Sequence, residues 1–360
     1  MHMSPRFFLT LLALFLLLPI VWCVQAVEVQ ITSDPADQTS PAIWEERIVW
    51  TDARNKNLDV YLYDAGTGVE TRITKGPKDR KSPAIWGNTI AAADLSYGSP
   101  NIYIYSLTSN AGWLITTAST NQKFPRISGN YVLWETSREG YNNVVVYNLS
   151  DGKEIRFIPE SGSRRSPAAW GDQLVWTDSR TGTGAIYLYD LTTRSENRID
   201  NSSSSEYNPW IYDNLVVWQD TRDGNDDIYL YNIATGEERR ITTDPSNQRN
   251  PRIWGDRIVW EDYRNGNPDI YMYTISTGVE EALTHDQAIQ RLPAIWGDRV
   301  VWEDHRNGNA DIYMYEVEVQ ESTPPATGAA GNQAQSTPTP LPEILPLIAA
   351  ALLIVSTHRR

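Results

Sequence analysis

A stretch beginning at Pro251, PRIWGDRIVWEDYRNGNPDIYMYTISTGVEEALT, recurs along the chain in fixed register. Related copies start at Pro41, Pro83, Pro125, Pro167, Pro209, Pro251 and Pro293, each 42 residues after the one before. Seven copies at one spacing, without insertion or deletion, leave few folds open. They also limit functional inference, because a residue present in every copy belongs to the scaffold before it belongs to a site.

One copy reads as four short strands. Ile253 and Trp254 lie in the first, which ends at Gly255-Asp256. Residues 257–262 form the second, with Ile258 and Trp260 on one face and Arg257, Val259 and Glu261 on the other. Residues 263–268 form a loop around Asn265-Gly266, two residues that tolerate positive φ. The third strand starts at Asp269, with Tyr271 and Tyr273 on one face and Ile270 and Met272 on the other; after a turn at Thr277-Gly278, residues 280–284 are the fourth. Tyr, Trp, Ile and Val suit half-buried β-structure, and no segment carries a helical period. Four strands in about 40–45 residues, repeated around a ring, predict an all-β, seven-bladed β-propeller. The copy at Pro293 stops after its third strand, whereas residues 27–32 (VEVQIT) match the fourth strand EERRIT at 237–242. Residues 27–32 are therefore expected to complete the last blade and close the ring.

The ring is expected to occupy residues 27–316. Residues 1–26 read as a secretory signal peptide: Arg6, an apolar run, then Val24-Gln25-Ala26. The one cysteine, Cys23, lies there, so the mature chain is expected to form no disulfide and to use no thiol chemistry. Residues 317–340 are rich in Ser, Thr, Pro, Ala, Gly and Gln and read as a disordered tether. Residues 341–360 pair an apolar segment with His358-Arg359-Arg360 and read as a membrane anchor or sorting signal. The formal charge of −14 argues against nucleic-acid binding, which needs a basic surface.

Chemistry is sparse. The loop Asp-x-Arg-Asn-Gly-Asn-x-Asp is the densest polar cluster, but Arg264 at its centre opposes a cation. It is read as structural, with Asp262 and Asp269 hydrogen-bonding loop amides and pairing with Arg264, pinning the hairpin. No cofactor is expected; calcium has its best candidate ligands in Asp223, Asn225 and Asp227, the most acidic version of the loop. The tryptophan pairs, such as Trp254/Trp260, are assigned to packing between blades. The copies at Pro83, Pro125 and Pro167 diverge most: Ala92 and Ser128 replace tryptophans, and Thr136 replaces the loop Asp. Tyr97, Tyr141 and Tyr263, between second and third strands, are the aromatic ligand candidates. Only His285 and His305 lie inside the ring, and His305 joins the candidate list. Asn148 and Asn201 head glycosylation sequons.

The repeat Pro-x-Ile-Trp-Gly-Asp-x-Ile-Val-Trp-x-Asp-x-Arg-Asn-Gly-Asn-x-Asp-Ile-Tyr-x-Tyr, with Thr-Gly-x-Glu and a closing Ile/Leu-Thr, resembles the TolB-like β-propeller repeat in the form common to surface proteins of methanogenic archaea. The best-known TolB propeller has six blades, so the count of seven comes from this chain alone. The tail resembles an archaeosortase-type signal of the PEF class, with Pro342-Glu343 followed by Ile344 where Phe is expected. These resemblances imply export and attachment at the cell surface. The expectation is a non-enzymatic binding or structural module of the envelope, with a protein or glycan partner and a membrane contact through the tail. The rival is a secreted hydrolase or polysaccharide-active enzyme with its site at the ring mouth; enzymes on repeat scaffolds usually build their site from insertions, and this ring has none.

Overall fold

The computed structural model describes residues 27–138, 140–157, 161–200 and 202–317. The expected signal peptide with Cys23, the expected tether beyond residue 317, the tail with Pro342 and Glu343, and Asn201 lie outside these residues. Within them are seven antiparallel four-stranded sheets, a seven-bladed β-propeller. Blade one runs from Gln38–Trp44 at the axis through Arg47–Asp52 and Asp59–Asp64 to Val69–Arg72 at the rim. Blade six repeats it as Gln248–Trp254, Arg257–Asp262, Asp269–Thr274 and Val279–Ala282. The outer strand ends two residues earlier than the sequence suggests. Even so, the amides of Leu283 and Thr284 both still reach the carbonyl of Ile270.

Closure occurs as expected. Val27–Gln30 pairs antiparallel with Asp311–Glu316, as the outer strand of blade seven. The amides of Ile31 and Thr32 then bond to Ile312, and Arg306 of blade seven pairs with Glu28. Closure leaves each blade a neighbour on both faces. Ile258, Trp260 and Tyr271 pack on Val217, Ile228 and Leu230 of blade five; Val259, Ile270 and Met272 pack on Val300 and Trp302 of blade seven. Across the seam, Ile48 and Trp50 pack on Val301, Ile312 and Met314.

The recurring polar loop is part of this packing. The indole N–H of the buried Trp260 donates to Oδ2 of Asp262 (3.0 Å), which is fully buried. Oδ1 of Asp262 accepts from the amide and Nε of Arg264 (3.0 and 2.9 Å). The guanidinium lies over Tyr271 (4.3 Å) and reaches Glu280 of the outer strand (2.8 Å). Tryptophan, aspartate, arginine and glutamate thus tie the second strand to the fourth across the loop. The same chain recurs on Asp52, Asp178, Asp220 and Asp304.

Blade five departs from the pattern at one buried position. Where the other blades place Gln or Arg at the start of the inner strand, blade five has Glu206, fully buried, with both carboxyl oxygens lacking a hydrogen-bond partner among the described residues. Burial, then the charge of Asp200, push its carboxyl up from 4.5 to about 8. The folded state therefore holds this proton more tightly than the unfolded chain. The penalty is absent below pH 4.5, grows between pH 4.5 and 8, and levels off above.

Two outcomes are expected. Asp262→Ala leaves the Trp260 N–H and Arg264 without their shared acceptor and should destabilise the ring by roughly 2–3 kcal/mol in chemical denaturation. Glu206→Gln should flatten the loss of stability between pH 5 and pH 8 and raise stability at pH 7 by about 3 kcal/mol. An unchanged pH profile would refute the assignment to Glu206.

Candidate functional site

The axis of the ring is where the seven copies meet, and the inner strands are shaped for it. Every inner strand carries a bulge just before its repeat proline: register shifts between Thr39 and Ala42 in blade one and between Arg249 and Arg252 in blade six, and likewise in the rest. The residue preceding the proline, from Ser40 to Leu292, has φ between 51° and 56° in all seven blades. Asn208 and Asn250 accept this left-handed conformation readily; Phe124 and Leu292 take it against their preference. Proline has no N–H to offer the ladder, so it is tolerated at the bulge.

The bulge amide turns toward the preceding blade. In four blades a side chain from that blade's second strand accepts it: Ser40 N bonds to Glu303 (3.2 Å), Ser82 N to Thr51 (2.9 Å), Ser166 N to Glu135 (2.7 Å) and Leu292 N to Glu261 (2.8 Å). Three carboxylates thereby stand at the axial mouth as braces between blades. Glu303 is also held by Arg291 (2.5 Å) and by His305 Nε2 (2.9 Å), and Glu261 by the Tyr263 hydroxyl (3.3 Å).

Below the bulges lies a cavity of about 400 Å³ lined by the inner strands. Its floor is aromatic. Trp44, Trp86, Trp170, Tyr212, Trp254 and Trp296 end six of the seven inner strands, and Ser128 ends the other. Trp86 meets Trp170 (5.3 Å) and Trp296 (5.4 Å), and Trp170 meets Trp254 (5.3 Å). These pairs join blades that are not neighbours, so the rings meet at the axis. The first tryptophan of each pair therefore fills the shaft, and only the second, such as Trp260, lies wholly between blades. From bulge to floor is four residues of strand, about 13 Å.

One step into the shaft, four blades carry alanine: Ala42, Ala84, Ala168 and Ala294. The other three carry Arg126, Trp210 and Arg252. Arg252 lies 4.5 Å and Arg126 5.7 Å from the Trp210 ring. Enclosure by the ring, then the nearby charge of Arg126, push Arg252 down to about 9; enclosure lowers Arg126 as well. Glu135 is pushed up by burial, against the pull of the Ser166 amide, Arg126, Arg165 and Lys123. Two residues before five of the seven repeat prolines, at the rim, stand Lys81, Lys123, Arg165, Arg249 and Arg291; the other two blades carry Thr39 and Tyr207. Arg249 and Arg291 are paired, with Asp226 and Glu303; Lys81, Lys123 and Arg165 are exposed. A chain of net charge −14 thus presents a cationic mouth.

The residues singled out in the sequence divide between this mouth and the surface around it. Tyr263 and His305 join the mouth through Glu261 and Glu303. Tyr97 is 64% exposed at the end of an extended second strand, Thr89–Tyr97, under Lys78 (4.7 Å). Tyr141 is 44% exposed at the start of Tyr141–Asn148. Neither lines the cavity. The divergent third blade has a second cavity of about 510 Å³, where Thr136, Asn143 and Val145 stand in place of Asp262, Asp269 and Tyr271. Asn148 is half-buried, its side chain accepting the Ser150 amide (2.8 Å).

Asp223, Asn225 and Asp227 each face a protein partner. Asp223 accepts from Tyr229 (2.5 Å), and Asp227 pairs with Arg240 (2.9 Å). Asn225 donates to Ser246 O (2.7 Å), tying this loop to the inter-blade loop on the same face. Among the described residues no three His, Cys, Asp or Glu side chains form a group that would hold a metal.

Comparison with family models and with curated sequences returns no match. Solved structures do match. An oligogalacturonate lyase in complex with manganese aligns at TM-score 0.67 and 12% identity, over 81% of this chain and 93% of that one. The β-propeller domain of the Trilobed protease from Pyrococcus furiosus, described as having an open velcro topology, aligns at 0.63 and 12%, over 79% and 94%. TolB from Acinetobacter baumannii aligns at 0.53 and 20%, over 69% and 66%. The fold is that of the TolB-like β-propellers, here with seven blades and a closed ring.

With each candidate ligand in the Asp223 loop already engaged, the melting temperature is expected to be the same in EDTA as in millimolar calcium. A calcium-dependent rise abolished by Asp223→Asn would reverse that assignment.

Proposed function

We propose that this protein is an exported β-propeller, anchored at the cell surface, that acts as a non-catalytic binding module of the envelope and takes a protein or glycan partner at its axial mouth. One observation carries the reading: side chains that break the seven-fold repeat converge on the axis. A ring selected for stability alone would keep alanine one step into every inner strand. Two arginines there add like charge without a carboxylate partner, a cost that function explains better than folding. The three mouth glutamates, in contrast, brace the next blade, so their presence does not call for acid–base chemistry.

Export and anchoring are supported by the apolar leader, the polar tether and the apolar tail with its basic end. The PEF-like tail and the methanogen-type repeat favour attachment to an archaeal envelope. Tyr97 and Tyr141, on the same face but outside the cavity, would extend the contact of a large partner.

A second reading has one specific observation behind it. His305 and Glu303 form a 2.9 Å pair at the mouth, and solved propellers of similar fold include a lyase and peptidases. A secreted enzyme acting on polysaccharide or peptide would use His305 as its base.

The deciding experiment is capture of envelope glycans and proteins by the purified ring, residues 27–317, with and without calcium. A partner is expected to bind and to be lost when the rim is reversed by Lys123→Glu with Arg165→Glu. Turnover of a captured glycan or peptide, abolished by His305→Ala, would replace the binding module with the enzyme. A folded, surface-exposed ring that captures nothing would leave a purely structural role.

A further inference from the structure

Arg126 and Arg252 stand three blades apart, yet both guanidiniums lie within 6 Å of one indole ring, that of Trp210. Each donates to the carbonyl of its own repeat proline, Pro125 (3.1 Å) and Pro251 (2.7 Å). Their other donors make no hydrogen bond among the described residues, and both side chains line the cavity. Glu135 and Glu261 act on them only from a distance, since each carboxylate is bound to the bulge of the next blade. Two like charges are therefore held together, each with free donors, in a closed-ended shaft.

We propose that this pair is an anion receptor, and that a small dicarboxylate enters from the mouth and is gripped by Arg126 and Arg252 beside Trp210. The proposal rests on reading the axial mouth as the binding site. The charge of the pair calls for a dianion. A guanidinium offers a planar fork that fits a carboxylate with two parallel hydrogen bonds. The walls of the cavity are mainly Pro, Ala and Ile, with tryptophan below; the serines and asparagines of the bulges and the carboxylate of Glu135, which is held by the Ser166 amide, also line it. A short carbon chain ending in two carboxylates satisfies both features, apolar against the wall and charged at its ends. Inorganic phosphate lacks that chain. Lys81, Lys123 and Arg165 at the rim would draw such an anion in.

The test is isothermal titration of the full chain, purified in mild detergent, with succinate, citrate and inorganic phosphate against matched sodium chloride. Succinate or citrate should bind saturably at one site per chain and raise the melting temperature. Arg126→Ala and Arg252→Ala should each weaken binding at least about tenfold, and Arg252→Lys should not restore it, because an ammonium replaces the fork. Without ligand, Arg252→Ala should melt at or above the wild-type temperature, since it relieves the like-charge pair. If it melts lower, Arg252→Gln, which keeps a donor for the Pro251 carbonyl, takes its place.

Three results would overturn the receptor: no saturable binding of either carboxylate, phosphate binding as tightly as both, or undiminished binding by the double arginine variant. If the carboxylates fail while a macromolecular partner is still captured through the rim, the receptor falls and the binding module stands. If they bind and no partner is captured, the receptor stands and the envelope partner falls.

Discussion

The structure depends on burying tryptophans that a single blade cannot bury. Trp50, Trp176, Trp218, Trp260 and Trp302 are wholly inaccessible, and each reaches that state only because the preceding blade covers it with Val, Ile, Leu or Met, and over Trp176 also with Phe157. A lone four-stranded sheet would leave both faces open, and a row of blades would leave two. Only the ring leaves none, and hence the first and last segments of the chain must share a blade. The indole nitrogen adds a second condition. A buried N–H needs an acceptor, and the acceptor chosen is an aspartate whose charge then needs a partner. The arginine that answers it also reaches the outer strand. Packing, hydrogen bonding and the shape of the loop are thus one requirement met in sequence, and this is why the loop recurs and why it resembled a cation site.

Arranging seven strands around an axis creates the second problem, a shaft down the middle. The chain fills the lower end with aromatic rings and leaves the upper part open. The bulges make this arrangement workable: in four blades they turn an amide toward the neighbouring blade, where a Glu or Thr side chain receives it, and in all seven they admit the proline. Mouth and core are consequently coupled. A glutamate at the mouth is a structural brace before it is anything else, and the side chains free for ligand binding are those to which the scaffold assigns no task. Arg126, Arg252 and Trp210 are of that kind.

Much of this was legible in the sequence. The 42-residue interval, the strand alternation of Ile258 and Trp260 against Val259, and the likeness of VEVQIT to EERRIT were enough for seven blades and the closing strand. The pairing of Arg264 with Asp262 was legible from their placement in one tight loop; the expected pairing of Arg264 with Asp269 does not form, because Asp269 accepts instead from Asn265 (2.8 Å) and Thr284 (3.4 Å) while the guanidinium turns to Glu280. The bulge was not, because a left-handed Ser, Asn, Phe or Leu before proline leaves no common residue type to notice. Nor were the two tryptophan positions separable: both recur at fixed places in each copy, and only contacts between non-neighbouring blades reveal that one set meets at the axis. The arginines had a signal. Aligning the copies on their proline shows Ala, Ala, Arg, Ala, Trp, Arg, Ala at the next position. Tyr97 and Tyr141 drew attention because their loops look irregular, whereas a substitution inside a regular strand proved to be the more informative departure.

The distribution of charge gives the mouth its meaning. The described aspartates and glutamates sit largely within blades or are tied to arginines, while the rim of the axis gathers Lys81, Lys123 and Arg165 above Arg126 and Arg252. In a chain of net charge −14, such a cluster is not a by-product of composition. The net negative charge of the chain disfavours the approach of an anion in general, whereas the cations gathered at the axis favour it there. The shaft then adds what a surface patch cannot: low-dielectric walls that strengthen each ion pair, and a floor that limits depth. A ring closed for the sake of its tryptophans has, at its centre, the one place where two arginines from distant parts of the chain can be held close enough to act on a single ligand.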